Sequence, residues 1–148
     1  TGLESVEFLV AGHAGVSPKP ISKVASGGEL SRIALAVAVV ISGQEGAPSL
    51  IFDEVDSGIG GAAAHTVGAL LRQLGQHRQV LAVTHLAQVA ASAHQHLLVS
   101  KQQQAGRTSS QVQLMGAKER VHEVARMLGG SASATSLAHA QEMLEQVA

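Results

Sequence analysis

From Ile33 to Ile41 the chain is apolar without a break, and directly before this run stands Lys23-Val24-Ala25-Ser26-Gly27-Gly28-Glu29-Leu30-Ser31-Arg32. A helix that is apolar nearly all round is stable only when other elements cover it, so the rest of the chain is expected to pack around this one. The polar residues before the run supply its start. Ser26 and Glu29 have the S-x-x-E spacing of a capping box, worth about 1 kcal/mol without any ligand. The same helix start has unpaired N–H groups and the positive end of the backbone dipole. Gly27 and Gly28 would let a phosphate approach the backbone with no side chain in the way. From these residues alone, a capped helix and an anion site are equally good readings.

Composition narrows the classes. The 148 residues make about one domain, and a 45% hydrophobic content is that of a core-forming chain and not of a disordered one. No apolar run reaches the ~20 residues of a membrane helix, and no signal peptide is recognisable, so no membrane is expected among the partners. The absence of cysteine removes disulfides and thiolate metal sites and fits an intracellular protein. A net charge of −1 with scattered Lys and Arg lacks the footprint of a nucleic-acid binder. With no Trp or Tyr, and only Phe8 and Phe52, there is no base-stacking platform either. Any contact with DNA is expected to lie outside this chain. The chain begins at Thr1 without a methionine, as a fragment or a processed product would.

Taken in order, Val6–Val10 reads as a short strand and Gly12–Pro20 as a loop. A helix is expected from Ser26 to Ile41, ended by Ser42-Gly43, with a surface loop from Gln44 to Pro48. Ser49–Phe52 and Val80–Val83 read as buried parallel strands. Between them lie a glycine turn at Gly58–Gly61 and a helix from Ala62 to Leu74. A helix through about Ala93 follows the second strand. Leu97–Lys101 and Gln111–Leu114 read as a hairpin around a polar loop from Gln102 to Ser110. Helices are expected over Lys118–Leu128, stopped by Gly129-Gly130, and from Thr135 to the end. The strand–helix alternation predicts an α/β fold with a mainly parallel sheet flanked by helices, and a C-terminal hairpin with two helices.

The chemistry gathers at the two strand ends. Asp53, Glu54 and Asp56 cluster after the first, and the next carboxylate is Glu119. Thr84 and His85 leave the second. Ligands of open parallel sheets sit beyond such carboxyl ends. An Asp directly after an apolar strand can hold Mg²⁺ beside a nucleotide phosphate. A neighbouring Glu can take a proton from an attacking water, and a His at the adjacent edge can orient that water or bond the terminal phosphate. Each feature has a plainer reading as a cap or a turn. His94 and His96 have a loose metal-like spacing but no evident third ligand.

Their order along the chain is far more specific than any one of them. Ser26-Gly27-Gly28-Glu29 resembles the signature motif of ABC-type ATPases, Leu50-Ile51-Phe52-Asp53-Glu54 their Walker B strand, and His85 their switch histidine. Asp56–Gly60 occupies the place of the D-loop. Within that superfamily the chain resembles most the RecN family of bacterial SMC-like DNA-repair ATPases. The likeness rests on Lys23–Arg32, on Phe52-Asp53-Glu54-Val55-Asp56-Ser57-Gly58-Ile59-Gly60-Gly61, on Val83-Thr84-His85-Leu86 and on Ala125-Arg126-Met127-Leu128-Gly129-Gly130. It covers essentially the whole chain. Gly60 stands where transporter ATPases and chromosomal SMC proteins typically have an Asp, which favours the RecN reading.

The resemblance implies roles. Ser26, Gly27 and Gly28, with Glu29 beside them, would reach the γ-phosphate of ATP bound on an opposing subunit. Asp53 would help hold Mg²⁺, Glu54 would polarise the attacking water, and His85 would sense the γ-phosphate. Asp56 and its neighbours would lie at the interface of an ATP-dependent homodimer of heads. No G-x-x-x-x-G-K-[ST] occurs, so the phosphate-cradling loop and its lysine must come from elsewhere. In RecN-like proteins they lie in an N-terminal segment beyond a long coiled coil, and this chain has no heptad run. Residues 1–148 are therefore expected to be the C-terminal part of one ATPase head, inactive alone, with Ser26 exposed at its helix start. The expected setting is the bacterial cytoplasm, associated with the nucleoid, with DNA met through the full-length protein. A nucleotide-binding subunit of a transporter and a non-catalytic binding module are the alternatives.

Overall fold

The computed structural model describes residues 2–12, 14–23, 26–42, 46–104, 107–129 and 133–147. The expected positions at Val24, Ala25, Gly43, Gln44 and Gly130, and the tip of the hairpin at 105–106, lie outside the described residues. Strands β1 (Leu9–Val10) and β2 (Lys19–Pro20) form a short antiparallel pair, so the first strand is shorter than expected and the end of the expected loop is its partner. Helix α1 runs over Gly27–Val40, β3 over Ser49–Phe52, α2 over Gly61–Leu74 and β4 over Gln79–Ala82. Then follow α3 (Ala87–Ser92), β5 (Leu97–Gln104), β6 (Arg107–Leu114), α4 (Ala117–Gly129) and α5 (Ala134–Glu145).

The α/β alternation is as expected, but the parallel part is one pair. β3 and β4 align in parallel from Ser49 opposite Gln79 to Phe52 opposite Ala82. The other strands pair in antiparallel twos. In the hairpin, Leu97 faces Leu114 and pairing continues to Gln104 opposite Arg107, so most of the expected polar loop is strand. Polar residues pair there because the ladder uses the backbone, whatever the side chains are.

Two apolar clusters hold the chain together. Leu35 of α1, Phe52 of β3 and Val55 meet Ala64, Val67, Leu71 and Leu74 of α2 and Val89 of α3. The 64, 67, 71, 74 spacing is one helical stripe, which is why α2 buries that side. Ala87 and Ala91 of α3 meet Val124, Ala125, Ala140 and Met143 of α4 and α5 in the second cluster. Helix α3 thus serves both clusters. Its C-terminal carbonyls are met by two guanidinium groups. Arg72 donates to Ser92 O (3.1 Å), and Arg120 donates to Ala90 O (3.1 Å), Ala91 O (3.0 Å) and Ala93 O. Cations suit this end of a helix, where the dipole is negative.

Helix α1 departs from the expectation of full burial. Gly28 and Leu35 are buried, whereas Val37, Val40 and Ile41 are exposed, Val40 at 84%. β3 likewise buries Phe52 but leaves Ile51 74% exposed, and Leu81 and Val83 are exposed beside it. The reason is geometric. Alternate residues of a strand face opposite sides, and among the described residues the packing lies on one side of the β3–β4 pair. No helix among the described residues is long and apolar enough to cross a membrane.

Candidate functional site

Two strand ends and one helix start converge. β3 and β4 are parallel and in register, so their carboxyl ends lie side by side and deliver Asp53-Glu54 and Thr84-His85 to one edge. A cleft of about 270 Å³ there is lined by Asp53, Glu54, Asp56, Ser57, Val83, Thr84 and His85. Whole small-molecule sites usually occupy about 300–1,000 Å³, so this cleft is smaller than a typical complete site.

The loop after β3 is tightly built. Asp53 Oδ1 accepts the backbone N–H of Glu54 (2.9 Å), and Glu54 O accepts the N–H of Ser57 (2.9 Å). Glu54 adopts φ 57°, the only positive φ at a non-glycine among the described residues. A side chain in that left-handed region costs on the order of 1–3 kcal/mol, and such strain gathers at functional sites. Asp53 and Glu54 are both exposed, so their carboxylates are open to a ligand.

Asp56 differs from the expectation of an interface position. It is 3% exposed, and only its neighbours Ser57, Gly58 and Gly60 reach the surface. Its Oδ2 accepts the hydroxyl of Thr84 (2.5 Å) and the backbone N–H of His85 (3.1 Å), and the His85 Nδ1 lies 3.3 Å from it. The His85 side chain is 72% exposed and projects at the cleft rim. Asp56 is therefore joined to the β4 end from below and is not available as a direct ligand.

Helix α1 approaches the same loop with its first turn. Ser26 is exposed and caps the helix, its Oγ accepting the Glu29 N–H at 3.2 Å. The return bond of a full capping box, from the Glu29 carboxylate, is not made among the described residues; Glu29 is exposed. The sequence singled out the glycines but gave no role to Ser31 and Arg32, which tie the helix down. Ser31 Oγ donates to Asp53 O (2.6 Å), and Arg32 Nη1 donates to Ser57 O (2.8 Å) and Val55 O (3.4 Å). Gly28, Ser31 and Arg32 are at i, i+3 and i+4, one face of a helix, and that spacing was the available signal.

Close backbone approach requires Gly28, whereas Gly27 lies against the end of a side chain. A Cβ on Gly28 would meet Ser57 Cβ and O at 3.0 Å, and one on Gly27 would collide with the Glu54 carboxylate. Gly27 and Glu54, which the ATPase resemblance assigns to two different ATP molecules, are thus neighbours within one chain. A second groove, about 540 Å³ and largely apolar, lies across the start of α1 between Val16, Lys19 and Lys23 on one side and Glu29, Arg32 and Ile33 on the other.

The donors around the cleft suit Mg²⁺ only in company. Asp53 offers hard carboxylate oxygen at a strand end, yet no group of three His, Cys, Asp or Glu capable of holding a metal occurs among the described residues. Mg²⁺ usually binds through one or two carboxylates plus substrate phosphates and waters, and Asp53 fits that pattern. His94 and His96 form no such group. His96 is half-buried; burial first, and then the Arg120 charge, lower its pKa.

Comparison with known proteins gives the same direction. The chain is 51% identical over 144 residues to the DNA repair protein RecN of Vibrio cholerae and 52% identical over 143 residues to that of Deinococcus radiodurans, each match covering 97% of this chain. A RecN of Streptomyces coelicolor is 49% identical over 146 residues. The chain spans about a quarter of the length of these relatives, and it matches their C-terminal part. One solved structure, described under "Structural biochemistry of ATP-driven dimerization and DNA stimulated activation of SMC ATPases", superposes with a TM-score of 0.50 at 27% identity. That match covers 72% of this chain and 63% of the other. No family model matches.

Proposed function

We propose that this chain, RecN-like along nearly all its length, is the C-terminal portion of an ATP-binding and ATP-hydrolysing head in a DNA double-strand-break repair and recombination protein. The observation that carries the reading is the convergence of Asp53-Glu54, His85 and the Ser26-capped start of α1 on one edge of the fold. Sequence similarity alone does not require that convergence, and phosphoryl transfer to water does.

The residues divide the work by chemistry. Asp53 is the carboxylate for Mg²⁺, which when bound offsets the charge on the phosphate oxygens. Glu54 is exposed beside it and takes the proton of the attacking water, a contribution of about 10²–10⁴ in rate. His85 stands across the cleft, where it meets that water or the terminal phosphate. Ser26, Gly27 and Gly28 present a helix start to the phosphate of ATP carried by a second head, and Ser57–Gly60 lie on the surface that the second head would cover. The Walker A lysine comes from the N-terminal half of the same head. ATP then joins two heads in a homodimer, and hydrolysis releases them. DNA is met through the full-length protein in the bacterial cytoplasm.

The test uses the complete protein carrying the Walker A segment. Glu54→Gln is expected to lower ATP turnover by about 10²–10⁴ while ATP binding and head dimerisation remain. Unchanged turnover in that variant would remove Glu54 from the chemistry.

A further inference from the structure

The left-handed φ of 57° at Glu54 persists only where the surroundings over-determine it. The loop's own bonds join it to itself. The Glu54 N–H donates to the Asp53 carboxylate, and Glu54 O accepts the Ser57 N–H. Beyond Glu54, the buried Asp56 side chain fastens the loop to the end of β4. What fixes Glu54 from outside is one turn of α1. Ser31 Oγ donates to Asp53 O (2.6 Å), and Arg32 Nη1 donates to Ser57 O (2.8 Å) and Val55 O (3.4 Å).

These bonds fall on the planes that matter. A peptide unit is planar, so holding its oxygen holds the whole plane. Asp53 O belongs to the plane before Glu54, about which its φ turns, and Ser31 holds that oxygen. Glu54 O belongs to the plane after it and is bonded to Ser57, which Arg32 holds in turn. The footing of both side chains is firm. Leu35, one turn further along α1, is 1% exposed in the first apolar cluster. Gly28 leaves the guanidinium its room, since a Cβ there would stand 3.1 Å from Arg32 Nη1. We propose that Ser31 and Arg32 are positioning residues that clamp the acid loop from α1 and keep the Glu54 carboxylate at the cleft. This rests on the ATPase reading above and deepens it. Helix α1 then acts twice: its start faces the second head's ATP, and its second turn holds the base that serves its own.

The clamp can be read with and without turnover in the complete protein carrying the Walker A segment. Arg32→Met keeps the apolar stem and removes the donors. Amide exchange over residues 53–57, followed by mass spectrometry without nucleotide, is expected to quicken about two- to tenfold, as loss of one hydrogen bond of ordinary net strength would cause. At saturating ATP, kcat should fall about 10–10²-fold while ATP binding and ATP-dependent dimerisation remain. Arg32→Lys keeps a cationic donor and should recover much of kcat. Ser31→Ala should quicken exchange and lower kcat in the same direction. Unchanged exchange in both Arg32→Met and Ser31→Ala would overturn the clamp. So would lost dimerisation with kcat intact, the mark of a contact with the second head's nucleotide. A lowered Tm with kcat per folded head unchanged would do the same, since it marks a purely structural tie. If Arg32→Met does not fold, Ser31→Ala and Arg32→Lys decide by the same readouts. Faster exchange in Arg32→Met together with retained turnover in Glu54→Gln would refute the catalytic reading and leave the clamp standing, so the two failures are distinguishable.

Discussion

At the scale of single residues, the two glycines that begin α1 do different things although they are adjacent. A side chain on Gly28 would press on the Ser57 backbone, which Arg32 holds in place. Gly28→Ala is therefore expected to cost about 1–3 kcal/mol, the range for overpacking, read as a lower midpoint in urea unfolding. A side chain on Gly27 meets only the far end of the Glu54 side chain, which can swing away. Gly27→Ala should leave the unfolding midpoint nearly unchanged yet reduce hydrolysis, because the displaced group is the proposed base. Glu54 itself stands in a left-handed conformation that glycine adopts freely. Glu54→Gly should gain roughly 1 kcal/mol in stability by relieving that strain and lose hydrolysis altogether. Asp53, Glu54 and His85 were legible in the sequence because each lies within three residues of the end of an apolar strand. The inward turn of Asp56 was not, because the three residues after Phe52 can leave a strand end in either direction.

At the scale of elements, α1 starts with a serine that is both a cap and a candidate phosphate contact, and one substitution separates the two. Aspartate caps a helix about as well as serine does, but its charge repels a phosphate. Ser26→Asp is expected to hold the melting temperature within about a degree while abolishing ATP-dependent dimerisation in the complete protein. Ser26→Ala should cost about 1 kcal/mol of stability through the lost cap. Helix α4 carries a different signal. Arg126 donates twice to the Glu123 carboxylate and holds its pKa below the usual range. Near the N-terminal end of α4, His96 has a pKa lowered first by its own burial and then by the charge of the half-buried Arg120. A histidine kept neutral in the folded state binds its proton more readily when unfolded, so its contribution is complete above about pH 6.5 and is lost as pH falls below that. The melting temperature should decline below that value in the wild type, and less steeply in His96→Gln. Element types and most boundaries followed from periodicity and glycine punctuation. The hairpin was longer than its side chains suggested, since Gln102 and Gln103 pair with Ser109 and Thr108 through the backbone.

At the scale of the whole molecule, the unfinished surfaces are the main feature. Ile51, Leu81 and Val83 are exposed on the parallel pair, Val37 and Val40 on α1, and Leu97, Val99, Val112 and Leu114 on the hairpin. In the hairpin the register sets Leu97 opposite Leu114 and Val99 opposite Val112, so these four side chains share one face. A two-stranded parallel sheet with an open apolar face is not a stable arrangement by itself, since parallel sheets occur covered on both sides. Addition of the Walker A segment is expected to slow hydrogen exchange at the backbone of β3, β4 and the hairpin. Unchanged exchange there would show that the segment docks elsewhere. By itself the sequence determined the helices and most of the strands, the apolar stripe of α2, the capped and glycine-led start of α1, and the acids and histidine at two strand ends. These follow from local periodicity, from turn chemistry and from residue types at fixed short spacing. The tertiary structure alone decided that Glu54 rests against Gly27, that Ser31 and Arg32 tie α1 to the acid loop, and that Asp56 faces His85 rather than solvent. Each of those contacts joins residues more than twenty positions apart, and no local pattern encodes which side of a packed element a distant residue will meet.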